Sequence, residues 1–181
     1  MSTRSGLIPA AGLALSLAAG VCFAEAPNFG KPIDPAYFAG WDISIAPDGT
    51  GLPPGAGTPA DGARIYAEKC ALCHGPDGKG GVANVNSAPL VGGGPINDIS
   101  AATKTIANFW PYSTTLFDYI RRAMPWQQPR TLANDEVYAV TAYILAQNKL
   151  IGDNDTMNAQ TLPKVQMPNR NGFIVRFPEA M

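Results

Sequence analysis

Cys70-Ala71-Leu72-Cys73-His74 is the stretch on which the reading of this chain turns. Positions three and four apart on a helix share a face, so this spacing sets two thiols and one imidazole toward the same side. Two sulfurs placed in this way can reach the two vinyl-derived carbons of a single porphyrin. The imidazole then turns under the same ring toward its iron, which is the geometry of covalent haem c attachment. A Cys-x-x-Cys pair can also serve as a redox dithiol, half of a zinc site or a structural disulfide. A zinc site needs further ligands, yet His74 is the one histidine and Cys22 the one other cysteine. A thioredoxin-type dithiol needs strands alternating with helices around the motif, and no such alternation surrounds it.

Outward from the motif, Thr58-Pro59-Ala60-Asp61 opens a helix. Thr58 can cap it, Pro59 suits its first position, and Asp61 favours the positive end of its dipole. This helix is predicted to run to about Cys70 or Ala71. On the other side, residues 75–94 hold a dense set of Gly, Pro and Asn without periodicity, which predicts a long loop wrapped around a ligand. A second helix is predicted over about 114–122, where Leu116, Phe117 and Ile120 recur at helical spacing, and Met124-Pro125 stops it. The strongest helical signal covers about 134–147. There Val137, Val140, Thr141, Ile144 and Leu145 form one apolar stripe, and Asp135 and Glu136 sit in the first turn.

A haem iron held by His74 has a second axial position, and its occupant decides between electron transfer and chemistry on a bound small molecule. Histidine is excluded by count, which leaves thioethers: Met124, Met157, Met167 and Met181. Met124 lies between two predicted helices and is pinned by Pro125, a suitable place from which to approach the face opposite His74. Met157 and Met167 lie in an irregular tail, and Met181 is the last residue. A soft, neutral thioether favours the reduced, less charged iron and raises its potential. The alternative for Met124 is a core methionine filling a gap beside Trp126.

Several other residues are candidates for the haem surroundings. The segment Ala88-Pro89-Leu90-Val91-Gly92 can present a backbone carbonyl, that of Pro89, to the His74 Nδ1 proton, fixing the ring and tuning the iron. The alternative for Pro89 is a simple turn. Trp110, Tyr112 and Trp126 can line the haem or belong to the core. Arg121 and Arg122 can neutralise propionates, but consecutive helical residues face different ways, so at most one of them does.

Further out, Arg4, an apolar run over 7–21 and the small-residue pattern Cys22-Phe23-Ala24 before Glu25 form a secretory signal peptide, predicted to be cleaved after Ala24. The run is shorter than a comfortable membrane span of ~20 residues. Val21 is not the small residue that a lipoprotein requires before its cysteine, so Cys22 leaves with the leader. The exported chain would retain 12 basic and 14 acidic side chains. That balance implies no polyanion partner, and no basic patch with stacking aromatics supports nucleic-acid binding. The mature chain needs no membrane span. With 19 Gly and 17 Pro, much of the chain must be loop. Residues 25–57 read as an irregular N-terminal arm carrying Tyr37, Phe38 and Trp41. Residues 151–181 read as a C-terminal arm with one short strand over 173–177. The domain between them spans 58–150.

The order of leader, Cys70 to His74, Gly-rich loop, Met124-Pro125 and final helix resembles the class I cytochromes c. The resemblance implies an all-α helical fold around one covalent haem c. It carries over Cys70 and Cys73 as thioether sites and His74 and Met124 as axial ligands. A narrower resemblance covers nearly the whole mature chain. It rests on Gly40-Trp41-Asp42-Ile43, Pro47-Asp48-Gly49-Thr50-Gly51-Leu52-Pro53-Pro54-Gly55, Trp110-Pro111-Tyr112, Arg121-Arg122-Ala123-Met124-Pro125-Trp126, Leu162-Pro163-Lys164-Val165 and Met167-Pro168-Asn169-Arg170. These look like the cytochrome subunits of bacterial sulfite dehydrogenases and related sulfur-oxidising (Sox) dehydrogenases. In that family the cytochrome pairs with a molybdopterin subunit that oxidises the sulfur compound, and the haem passes electrons to a downstream cytochrome c or oxidase. With one attachment motif, this chain departs from the two-haem Sox members.

The expected function is thus periplasmic electron transfer within a sulfite dehydrogenase. The alternatives are a freely diffusing shuttle, and a haem enzyme or gas sensor whose sixth iron position is open. The aperiodic arms are expected to order by wrapping a partner subunit, the alternative being that they fold over their own domain.

Overall fold

A computed structural model of the protein describes residues 29–80 and 87–174. The leader, its cleavage point, Met181 and most of the expected terminal strand lie outside these residues. The chain divides into two units at Phe38, and each is taken by itself. In the first, the arm expected to be irregular contains a short helix, α1 (Pro35–Ala39), which runs on into Ala39. The Asp34 carboxylate accepts from Ala36 N at 2.8 Å, and Pro35 occupies the first helical position. One turn is too short to leave a periodic signal in the sequence.

In the second unit, β1 (Ala56–Gly57) leads into α2 (Pro59–Lys69) and α3 (Ala71–His74), followed by α4 (Ser113–Ala123), α5 (Asn134–Gln147), β2 (Met157–Asn158) and a 3-10 turn at Leu162–Lys164. Thr58 caps α2 by accepting from Asp61 N at 3.2 Å, as its sequence predicts. The helix ends one residue early, because Cys70 has φ −123° and ψ −38°, outside the helical basin, before α3 restarts it. At the start of α5 the Glu136 carboxylate accepts from Ala133 N at 2.8 Å, and hydrogen bonds from Lys69 and Ala133 hold its carboxyl below the usual range.

Helix α5 is the axis of the fold. The single apolar stripe expected from its sequence is buried, but so are Tyr138, Ala139, Ala142 and Ala146, so the helix is enclosed on most of its circumference. Small residues make this enclosure possible. Gly62 on α2 and Gly57 in β1 both lie against the backbone of Ala139, where any side chain on either glycine would collide. Leu116, Phe117 and Ile120 of α4 complete the core from another side.

The flanking segments do more than extend from this core. Ile45 and Leu52 pack against it from the N-terminal side, and the buried Tyr138 hydroxyl donates to Pro53 O at 2.8 Å. From the C-terminal side Met157, Leu162, Val165 and Met167 are core residues. The two sides join in an antiparallel pair, Ala56 opposite Asn158 and Gly57 opposite Met157. The short strand therefore forms at 157–158, whereas Phe173 and Ile174 are not in a strand. Much of what reads as arm closes its own domain. Turn and side-chain hydrogen bonds satisfy the aperiodic backbone, as where Ser113 Oγ donates to Leu162 O at 2.6 Å. Among the described residues no helix is long and apolar enough to cross a membrane.

Candidate functional site

The site is built on the one turn of α3 and the chain that returns beside it. Cys70 and Cys73 are half-buried, and no disulfide joins them. Burial pushes the Cys70 thiol up to about 11, against the pull of the Lys69 ammonium. A thiol held protonated in this way is a poor redox nucleophile, which argues against Cys70 as the attacking member of a dithiol. No three His, Cys, Asp or Glu side chains converge among the described residues, so a zinc ion would find no ligand set.

His74 ends α3, and Gly75 at φ +79° turns the chain sharply out of it. That positive φ is costly for any residue with a Cβ, and the exit is fixed further by the buried Tyr66 hydroxyl donating to Gly75 O at 2.9 Å. The returning segment runs from Ser87 to Gly92. Its Ala88 carbonyl stands 3.3 Å from His74 Nδ1. A carbonyl only accepts, so this contact puts the ring proton on Nδ1 and leaves Nε2 with a free lone pair. The acceptor is therefore Ala88 and not Pro89, one residue from the sequence expectation. Pro89 instead lies against Gly80, while its neighbours Leu90 N and Val91 N both donate to Gly78 O, at 2.7 and 3.0 Å, fixing which carbonyl faces the ring.

Two of the four candidate methionines are committed elsewhere. Met157 and Met167 are 4% and 3% exposed within the core. Met124 follows α4 with extended backbone, φ −119° and ψ 147°, and is half-buried at the core's edge. Trp126 is 78% exposed, so Met124 is not filling a gap in the core beside it. Trp110 packs on the core and meets Tyr119 edge to face at 5.6 Å. The two arginines separate cleanly. Arg122 Nε donates to Asp118 at 2.7 Å and its NH2 group to Ile43 O at 2.8 Å, tying the N-terminal segment to α4 and removing it as a propionate partner. Arg121 is half-buried beside Tyr138, where its charge opposes the upward shift that burial gives that phenol, and it forms no ion pair among the described residues.

The sequence profile of the cytochrome c family matches residues 59–148. Among solved structures, the sulfane dehydrogenase SoxCD from Paracoccus pantotrophus aligns at 33% identity over 86% of this chain and 75% of that one, with a TM-score of 0.75. This chain belongs to the cytochrome c family. A thiosulfate dehydrogenase, TsdBA from Marichromatium purpuratum, aligns at 31% identity over 50% of this cytochrome and 18% of its own chain, with a TM-score of 0.38. No match is found among curated proteins.

The cytochrome is of class I, and its fold is the all-α fold of that class. The residues fit the cofactor: two unbridged, half-buried thiols one turn apart, beside an imidazole whose Nδ1 is engaged and whose Nε2 is free. The cytochrome carries haem c covalently and transfers electrons, and the pair Cys70 and Cys73 followed by His74 fits the attachment site. When bound, the haem supplies a one-electron couple. The chain's part is to anchor it, to orient the imidazole through Ala88, and to keep apolar side chains such as Leu90 and Trp110 at the core's edge. Sequence reasoning missed Ala88, because a carbonyl leaves no mark on residue type. It also missed Ser87, whose hydroxyl donates to Cys73 O, and Asn148, which grips the returning segment. A lone Asn directly after a long helix was the available signal for the last of these.

Proposed function

We propose that this cytochrome is exported to the periplasm and serves as the haem subunit of a molybdopterin-dependent dehydrogenase that oxidises sulfite or a related sulfur compound. His74 and Met124 are the axial ligands of its iron. Electrons arrive singly from the partner's molybdenum centre and leave for a downstream cytochrome c or oxidase. The observation that carries this reading is the extent of the likeness to a sulfane dehydrogenase. It covers 86% of the chain, well beyond the 59–148 that any cytochrome c would share. The N-terminal leader pattern supports export. No group in the described site suits oxidation of sulfite, so substrate chemistry falls to the partner.

The test is purification of the native cytochrome from its own periplasm through a small C-terminal tag. A stable complex that contains molybdenum and reduces its haem on addition of sulfite or thiosulfate is the expected result. A lone, molybdenum-free chain not reduced by either compound would return the protein to the class of diffusing shuttles. The ligation has its own measurement. Met124→Ala should abolish the methionine-to-iron charge-transfer band and open the reduced iron to carbon monoxide, with the potential falling as the thioether is lost. Rapid carbon monoxide binding by the unaltered protein would instead mark an open-site haem protein.

A further inference from the structure

The segment that meets His74 is held by a residue far away in sequence. Asn148 directly follows α5, and both ends of its side-chain amide are used on the segment. Nδ2 donates to Leu90 O at 3.1 Å and to Ile144 O at 2.9 Å, while Oδ1 accepts from Gly92 N at 3.0 Å. From the opposite side Gly78 O takes Leu90 N and Val91 N, and at the near end Ser87 Oγ donates to Cys73 O. Ala88 lies between these attachments, is exposed, and has no polar side chain of its own. The position of its carbonyl is therefore set by its neighbours' bonds. At 3.3 Å the contact with His74 Nδ1 is already long, so a shift of a few tenths of an ångström in the segment would break it.

We propose that Asn148 is a positioning residue for His74: by clamping Leu90 and Gly92 to the end of α5 it holds the Ala88 carbonyl on Nδ1 and so sets how strongly the imidazole donates to iron. The proposal rests on His74 being an axial ligand. A carbonyl accepting the Nδ1 proton makes the ring more basic, and a more basic ring favours the oxidised iron. Releasing the clamp therefore raises the reduction potential, and it also exposes the Nδ1 proton to solvent.

Both quantities can be read in the full haem-loaded chain, the first by redox titration and the second by hydrogen exchange of the ring proton in nuclear magnetic resonance spectra. Asn148→Ala is expected to raise the potential and to speed exchange about fivefold to tenfold, the factor corresponding to one net hydrogen bond. Asn148→Asp keeps an acceptor for Gly92 N and loses the donor to Leu90 O. It should show intermediate exchange, and it decides the matter alone if the alanine variant does not fold. Tyr138→Phe removes a different bond made by α5, the one to Pro53 O, and should lower stability while leaving both readings unchanged. Wild-type exchange and potential in whichever Asn148 variant folds, with only the unfolding midpoint reduced, would overturn the proposal. A wild-type spectrum without a haem-shifted His74 ring would show, before any substitution, that the ligation itself is misassigned, and the proposal would fall with it.

Discussion

Gly62→Val should leave no folded cytochrome to purify. A Cβ built on Gly62 meets the carbonyl of Ala139 in α5 well inside van der Waals contact, and also comes within 2.7 Å of Tyr143 Cβ. The obstacle is backbone, which cannot rotate aside as a flexible side chain can. Helices α2 and α5 would have to separate along the contact on which Tyr66, Val137 and Val140 depend. Even Gly62→Ala, which gains about 1 kcal/mol of helix propensity, meets an overpacking cost of about 1–3 kcal/mol and should lower stability. Valine adds two further carbons and a stiff branch at the same point, enough to consume much of a domain's usual stability of about 5–15 kcal/mol. The comparison is Ala60→Val, on the exposed face of the same helix, where only propensity is lost, about 0.5 kcal/mol. Yield of haem-loaded protein and the urea midpoint distinguish the two. A well-folded Gly62→Val cytochrome would show that the helices do not cross at Gly62.

That crossing also shows where the sequence could and could not be read. Helix α5 was legible to the residue at both ends because a long apolar period and an acidic first turn agree, and its burial follows from the same pattern. The capped start of α2 was legible because Thr58, Pro59 and Asp61 each act within one turn. The closeness of the two helices was not, since Gly62 in a helical pattern reads only as a weak helix former. Its role depends on Ala139, which is remote in sequence. The haem pentapeptide was legible for the opposite reason. Its chemistry is local, and the spacing alone brings two sulfurs and an imidazole together.

The flanking segments mark the limit of pattern reading. Their most recognisable stretches, on which the resemblance to the cytochromes of sulfur-oxidising dehydrogenases rests, turn out to be fastenings. Ile43 O takes a bond from Arg122, Gly49 lies against Pro163, and Asn169 Nδ2 donates to Phe109 O at 2.7 Å. Arg170 stacks over the Tyr112 ring at 5.2 Å. A signature that reads as a family mark in one dimension is thus, in three, the set of contacts by which 39–57 and 151–170 close the domain. Periodicity could not reveal this, because Met157, Leu162, Val165 and Met167 are buried from a two-residue strand, a single 3-10 turn and the bends between them rather than from a repeating face. Exposed aromatics remain in the first unit, at Phe29 and Phe38.

The double variant Cys70→Ala with Cys73→Ala should lose all covalent tetrapyrrole, so that the denatured chain shows the polypeptide mass alone and no haem stain on a denaturing gel. Each single variant should keep one thioether, and with it haem that survives denaturation in lower yield. The double variant should also lose stability beyond what two absent bonds explain. Cys70, Ala71, Leu90, Trp110 and Met124 are apolar groups at the core's edge that are only partly buried by the polypeptide. An apolar cofactor covering them removes surface from water at about 25 cal/mol per Å², a contribution that disappears when the haem is free to leave. Ligand linkage then lowers the melting temperature in step with haem dissociation, and added free haem should restore part of it. The thioethers convert that reversible binding into a permanent feature of the native state. Haem retained at full occupancy by the denatured double variant would place the attachment on other residues, and would remove the premise on which the reading of His74, Ala88 and Asn148 stands.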